Sequence, residues 1–219
     1  MRLADKTLIK SVEQIVKQEL AADSGGHDWF HVWRVWTMAR HLQTCEGGDG
    51  LVIELAALLH DIADWKSYGG DDTVGPRKAR ELLESFGAGE TVIVYVCEII
   101  QHLSFKGAGV KDAMLTLEGR IVQDADRLDA IGALGVARAF AYGGASGRLA
   151  YDPAIKPVMH KNKKAYVTAK GTVINHFFEK LLLLKNRMNT KTAKKIANGR
   201  HRFLARYLDQ FFAEWNGRR

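Results

Sequence analysis

The stretch Leu51–VIELAALLHDIADWKSY–Gly69 runs from a nearly continuous apolar segment, residues 51–59, into His60, Asp61, Asp64 and Lys66. Apolar residues at 51, 52, 55, 58, 59 and 62 fit a helical stripe, so this segment predicts a core helix from Leu51 to about Asp64. An imidazole and a carboxylate at the end of such a stripe cost several kcal/mol to bury unless something pairs them. A divalent metal ion is a ready partner for both. The decisive question is whether the rest of the chain supplies further ligands.

Upstream, Leu3 to Ala22 reads as an amphipathic helix with Leu8, Ile9, Val12, Ile15, Val16 and Leu20 on its apolar face. Asp28 is placed as the N-cap of a second helix, WFHVWRVWTMARHLQTCE, in which His31 lies among Trp29, Phe30, Val32 and Trp33. Gly47-GDG ends that helix. A fourth helix is expected over Arg77–Phe86 behind Pro76, a fifth from Glu90 to Leu103, and a sixth from Ala113 to Arg127. The sixth ends in IVQDADRLD, a carboxylate cluster of Asp124, Asp126 and Asp129. A seventh runs from Ala130 to about Tyr142. Residues 143–157 carry no helical pattern and read as a surface loop or lid. Gly171-TVINHFFEKLLLLKNRM predicts one apolar helix. Thr190 is placed as the cap of a last helix over Thr192–Asn216, with Ile196, Phe203, Leu204, Tyr207, Leu208, Phe211 and Phe212 inward.

These patterns predict an all-α fold. The length of 219 residues and a hydrophobic content of 47% allow one sizeable core. Only 3 prolines interrupt the helical segments, and the 2 cysteines, Cys45 and Cys97, are expected as reduced, buried thiols with no disulfide between them. No apolar run reaches the roughly 18 residues of a membrane span, and the charged N-terminus lacks a signal core. The expectation is a cytoplasmic protein with no membrane partner. The formal net charge is +7. Its surplus is concentrated between His160 and Arg206, where a basic field suits polyanions and equally suits a solvated helix face.

His31, His60, Asp61 and Asp126 are the buried or half-buried ligating groups, drawn from three predicted helices. Two imidazoles and two carboxylates suit one divalent ion among Mn²⁺, Fe²⁺, Co²⁺, Ni²⁺ and Zn²⁺. Four protein ligands leave positions for water and a substrate oxygen, the arrangement for metal-assisted hydrolysis.

The order D-x-x-H-x-x-R-V, then apolar-HD-x-x-D, then A-D-R-L-D resembles the HD-domain metal-dependent phosphohydrolase superfamily. The matches are His31 in Asp28-WFHVWRV, His60-Asp61 in Leu58-LHDIAD, and Asp126 in Ala125-DRLD. The tail, His176-FFEKLL with Arg202-FL and Phe211-FAEW, looks like a small bacterial branch that is itself similar to manganese-dependent nucleoside triphosphate pyrophosphohydrolases. The resemblance implies an HD-domain helical bundle with additional C-terminal helices. It implies one HD domain over 1–219, with a metal-site core at about 26–138 and a helical extension at about 160–219. His31, His60, Asp61 and Asp126 are then the ligands of one metal, Mn²⁺ first, with Fe, Co, Ni, Mg or Zn as alternatives.

By the same resemblance Asp64 stands where relatives carry a Glu that positions or deprotonates the attacking water; the competing reading pairs it with Lys66. His102 is expected to meet substrate or to orient a ligand. Arg34 either clamps a phosphate or pairs with Asp28 or Asp126, and Lys66, His27 and Lys106 are further phosphate candidates. Arg127 and Asp129 are expected to pair with each other or to brace Asp126. The implied activity is hydrolysis of a small-molecule nucleotide or related phosphate ester, with a triphosphate giving monophosphate and pyrophosphate. A nucleotide phosphomonoesterase and a (p)ppGpp or cyclic nucleotide hydrolase share the same metal chemistry. The basic stretch from Lys161 to Arg206 supports a different class, a nucleic-acid-binding module with a vestigial metal site.

Overall fold

The structure is a computed structural model, and it describes residues 2–21, 28–63, 68, 71–103, 105, 109, 114, 116–159 and 171–218. Among these residues the regular structure is all helical. The α-helices are α1 (Leu3–Glu19), α2 (Trp29–Glu46), α3 (Gly50–Leu59), α4 (Val74–Ser85), α5 (Glu90–Leu103), α6 (Leu117–Asp129), α7 (Gly132–Ala145), α8 (Val173–Glu179) and α9 (Lys191–Trp215). A 3₁₀ helix, Leu181–Arg187, lies between the last two. Two compact units result, one of Met1–Phe105 with Lys111–Ala125, the other of Lys106–Val110 with Asp126–Arg219, and the division falls inside α6.

In the first unit α3 is the hub, touching α1, α2 and α5. Its sequence explains this position. Val52, Ile53 and Leu55 to Leu59 are all buried, so the helix is apolar on every side and has no face for water. Each such Leu or Ile contributes about 1.5–3 kcal/mol on burial. The helix starts on Asp49, whose carboxylate accepts from Leu51 N (2.8 Å) and Val52 N (3.3 Å). Its one charged residue, Glu54, accepts from Trp36 Nε1 on α2 at 2.8 Å and lies 3.7 Å from Arg40 Nε. The regular helix stops at Leu59, so His60 and Asp61 stand on the turn that follows rather than inside a helix reaching Asp64. Helix α1 also ends earlier than its pattern suggests, at Glu19, and presents Ile9, Val12 and Val16 to the core.

The second unit is built on α9, which touches α7 and the 3₁₀ helix. Aromatic rings hold it together. Phe177 is fully buried and stacks on Tyr207 at 5.7 Å between centroids, and Tyr151 meets Phe211 (5.8 Å) and Trp215 (4.9 Å) edge-on. Thr190 caps α9, its hydroxyl accepting from Ala193 N at 3.3 Å. Gly132 opens α7 at φ +82°, and a Cβ there would stand 3.1 Å from the Arg200 side chain, so conformation and space both require glycine.

Four further expectations need correction. The apolar run 171–188 is not one helix: Lys180 leaves helical geometry (φ −139°, ψ −60°) and the chain continues as a 3₁₀ turn that buries Leu181 and Leu184. Residues three apart eclipse in a 3₁₀ helix, so Leu181 and Leu184 lie on one side of it. Helix α7 extends to Ala145, past the expected end at Tyr142. Phe203 points outward with 38% of its surface exposed. Cys45 is exposed and Cys97 half-buried, so neither is a core thiol, although both are free.

Residues 149–159 do form a surface segment without helix, and they are pinned. Val173 N and Ile174 N donate to the Leu149 and Ala150 carbonyls (2.9 and 3.0 Å). Asn175 Nδ2 donates to Ile155 O and Glu179 Oε1 accepts from Val158 N, both at 2.9 Å.

Candidate metal centre

Helix α2 places the first imidazole. Asp28 caps the helix, its carboxylate accepting from His31 N at 2.9 Å, which fixes the backbone on which His31 stands. His31 is fully buried. The second imidazole, His60, sits at the C-terminal end of α3 with its ring nearly inaccessible. Its Nδ1 is 2.7 Å from the Ala57 carbonyl one turn back. With the proton on Nδ1 donated to that carbonyl, Nε2 carries the lone pair on the side facing His31. Such an orienting acceptor is usual behind a metal-binding histidine.

The two Nε2 atoms face each other at 3.1 Å. Asp61 Oδ2 lies 3.2 Å from His31 Nε2 and 3.4 Å from His60 Nε2. Metal–ligand bonds of about 2.1 Å put neighbouring ligands about 3.0 Å apart in an octahedron and about 3.4 Å apart in a tetrahedron. The observed triangle therefore has the edges of one face of a coordination sphere. Hydrogen bonding alone gives a poorer account, since two imidazole nitrogens at 3.1 Å and one carboxylate oxygen compete for the same few protons.

Asp126 follows Ala125 in the unbroken helix α6 and is half-buried. His31, His60 and Asp126 each offer one ligand atom, and these atoms lie within 4.8 Å of one another. The residues present thus fit a single divalent ion with mixed nitrogen and oxygen ligation.

The remaining sequence candidates fall into two groups. Arg34 is half-buried on α2, one turn from His31, and His102 is exposed in the last turn of α5. Asp64, Lys66, His27 and Lys106 lie outside the described residues. Two expectations about the A-D-R-L-D segment gain definite partners. Asp129 pairs with Arg138 at 2.9 Å, and the Arg127 guanidinium donates to the Arg187 carbonyl.

Two supports were not visible in the sequence. The Ala57 carbonyl carries no residue-type signal, because any residue has one. Gln123, fully buried on α6, donates through Nε2 to the Leu103 carbonyl at 3.3 Å and lies 3.5 Å from the His102 carbonyl, tying the end of α5 to the helix that carries Asp126. A lone glutamine one turn before the aspartate was its only trace.

Residues 29–131 match the model of the HD domain family. Uncharacterized protein YpgQ of Bacillus subtilis (strain 168) is 40% identical over 208 residues, covering 92% of each chain. This chain belongs to the HD family. Solved HD-family relatives agree over nearly the full length. A protein from Lactobacillus plantarum superposes with a TM-score of 0.87 at 39% identity, covering 96% of this chain and 98% of that one. An HD-superfamily hydrolase from Bacillus thuringiensis gives 0.73 at 42% identity, covering 97% and 98%. YpgQ has also been solved in complex with ADP, and that structure gives 0.71, covering 94% and 97%. The HD family and its hydrolase members make this chain a metal-dependent hydrolase. No described helix is long and apolar enough to cross a membrane.

Proposed function

We propose that this HD-family hydrolase cleaves the phosphate chain of a nucleotide, and that its preferred reaction converts a nucleoside triphosphate to monophosphate and pyrophosphate. The observation that carries the reading is the triangle of His31 Nε2, His60 Nε2 and Asp61 Oδ2, with sides of 3.1, 3.2 and 3.4 Å. Asp126 is the fourth ligand in this reading. The ADP complex of YpgQ supports a nucleotide as the ligand class.

A divalent ion, Mn²⁺ first, supplies a more acidic water and a Lewis acid for a phosphoryl oxygen when bound. The protein's residues do the rest. The Ala57 carbonyl holds the His60 ring so that Nε2 faces the centre. The Asp28 cap holds the first turn of α2, and with it His31. Asp64 takes the role of orienting the attacking water and accepting its proton. Arg34 meets phosphate oxygens and offsets charge that develops on them, with Lys66, His27, His102 and Lys106 as further contacts. One HD domain over 1–219 and a reducing, cytoplasmic setting complete the proposal; the free thiols of Cys45 and Cys97 support the latter.

The test is a panel of ribo- and deoxyribonucleotides with Mn²⁺, with products separated by anion exchange. Equal amounts of monophosphate and pyrophosphate are expected from triphosphates. Orthophosphate as the only inorganic product, or turnover of monophosphates or cyclic nucleotides alone, overturns the pyrophosphohydrolase reading.

A further inference from the structure

Helix α9 carries an electrostatic conflict that its packing does not explain. Between Glu179 and Asp209 the chain has no acidic residue. Lys191, Lys194 and Lys195 fall in the first turn and a half of α9, where the helix dipole presents its positive end, and no acid occupies the first turn. Cations there are at the unfavourable end. Lys191/Lys195 and Arg202/Arg206 are also like-charged pairs at i,i+4, which weaken a helix.

The five side chains are exposed, and none has an ion-pair partner among the described residues. At the helical period, positions 191, 195, 198, 202 and 206 follow one another along a single stripe about 22 Å long. Beside it Lys185 adds positive field: it acts with burial to hold His201 below the ordinary histidine range.

Two further features lie on this face. Phe203 is 38% exposed. Long side chains on a helix lean back over the preceding turn, so its ring is directed toward Gly199. Gly199 is exposed, has an ordinary helical conformation, and a Cβ there would meet nothing within 4 Å. Neither packing nor backbone geometry demands glycine in mid-helix, where it is disfavoured. It leaves the backbone open to close approach beside the partly exposed Phe203.

We propose that this face of α9 binds a single strand of nucleic acid, with Lys191, Lys195, Arg202 and Arg206 on phosphates and Phe203 stacked on a base. Cations along a track with an interposed aromatic ring are the means by which proteins hold single strands. An anionic membrane fits less well. The apolar side of α9, with Ala193, Ala197, Leu204 and Leu208, is buried in its own unit and cannot insert. The inference goes beyond the hydrolase reading and uses none of its residues.

The experiment is fluorescence anisotropy with the full chain and a fluorescein-labelled single-stranded oligonucleotide of about 16 bases, from 50 to 300 mM NaCl. Four phosphate contacts predict a slope of log affinity against log salt of about −2.8. The triple variant Lys191→Gln/Lys195→Gln/Arg202→Gln should lose about two units of that slope while keeping wild-type nucleotide hydrolysis and helical circular dichroism. Phe203→Leu should weaken binding about tenfold, and Gly199→Ala should weaken it while leaving the fold intact.

Four results overturn the proposal: no binding at 50 mM salt, equal binding by the triple variant, displacement of the strand by ADP with Mn²⁺, or stronger retention on phosphatidylserine vesicles than on the strand. Equal or tighter binding of the annealed duplex overturns the single-strand assignment.

Discussion

His60 uses both ring nitrogens, Nδ1 on the Ala57 carbonyl and Nε2 toward His31 and Asp61. A His60→Ala protein should therefore lose metal binding and turnover together, with activity down by two or more orders of magnitude, checked by Mn²⁺ calorimetry beside the nucleotide assay. Thiol chemistry gives a second prediction at this scale. Burial, and after it the charges of Glu90 and Glu84, raise the Cys97 thiol above its ordinary pKa against the opposing pull of Arg80, and its Sγ donates to the Pro76 carbonyl at 3.3 Å. Cys45 is exposed. At pH 8 a disulfide reagent should titrate Cys45 rapidly and Cys97 slowly; equal rates contradict this environment.

His201 supplies a pH dependence. Its Nδ1 is buried with no hydrogen-bond partner among the described residues, and burial, then Lys185, hold its folded pKa below 6.5. Below pH 6.5 the unfolded chain binds the proton more readily, so stability falls as the solution is acidified through that point. Urea midpoints at pH 7.5 and 5.5 should differ less for His201→Gln than for the wild type. Part of this scale was legible: Asp28 caps α2 as its letter suggests, and His31, His60 and Asp61 come together. The Ala57 carbonyl was not, since backbone acceptors leave no mark in a sequence. The inward placement of Cys45 failed because apolar neighbours along a helix point to other sides of it.

At the scale of elements, α3 bears the most weight, because apolar contacts surround it and its last turn sets the His60 ring. Leu58→Ala should cost about 2–5 kcal/mol in urea unfolding; a loss below about 0.5 kcal/mol contradicts the hub role of α3. Thr190→Ala should cost about 1 kcal/mol through the lost cap. Helix starts were legible where a capping letter stands at the boundary, as at Asp28 and Thr190. The break at Lys180 was not, since no proline or glycine announces it: burial of Leu181 and Leu184 at 3₁₀ spacing prevails over the helical preference of a leucine run. Phe203 was misread for a related reason. Its spacing fits the apolar stripe, yet Ala197, Leu204 and Leu208 already fill the inner side of α9.

For the molecule as a whole, all-helical class and family were legible from helical periodicity and three short motifs in order. The division inside α6 was not legible, since no change in composition marks it. Ligand linkage acts at this scale. Mn²⁺ at one hundred times its dissociation constant should add about 2.7 kcal/mol to the stability of the wild type and nothing to His60→Ala.

Whether two imidazoles and acidic oxygens share one ion is read directly by electron spin echo modulation of the Mn²⁺-loaded protein. Couplings from two ¹⁴N nuclei, reduced to one in His31→Ala and accompanied by one bound ion per wild-type chain, are the predicted result. A wild-type spectrum without nitrogen modulation, or one unchanged in both His31→Ala and His60→Ala, contradicts it.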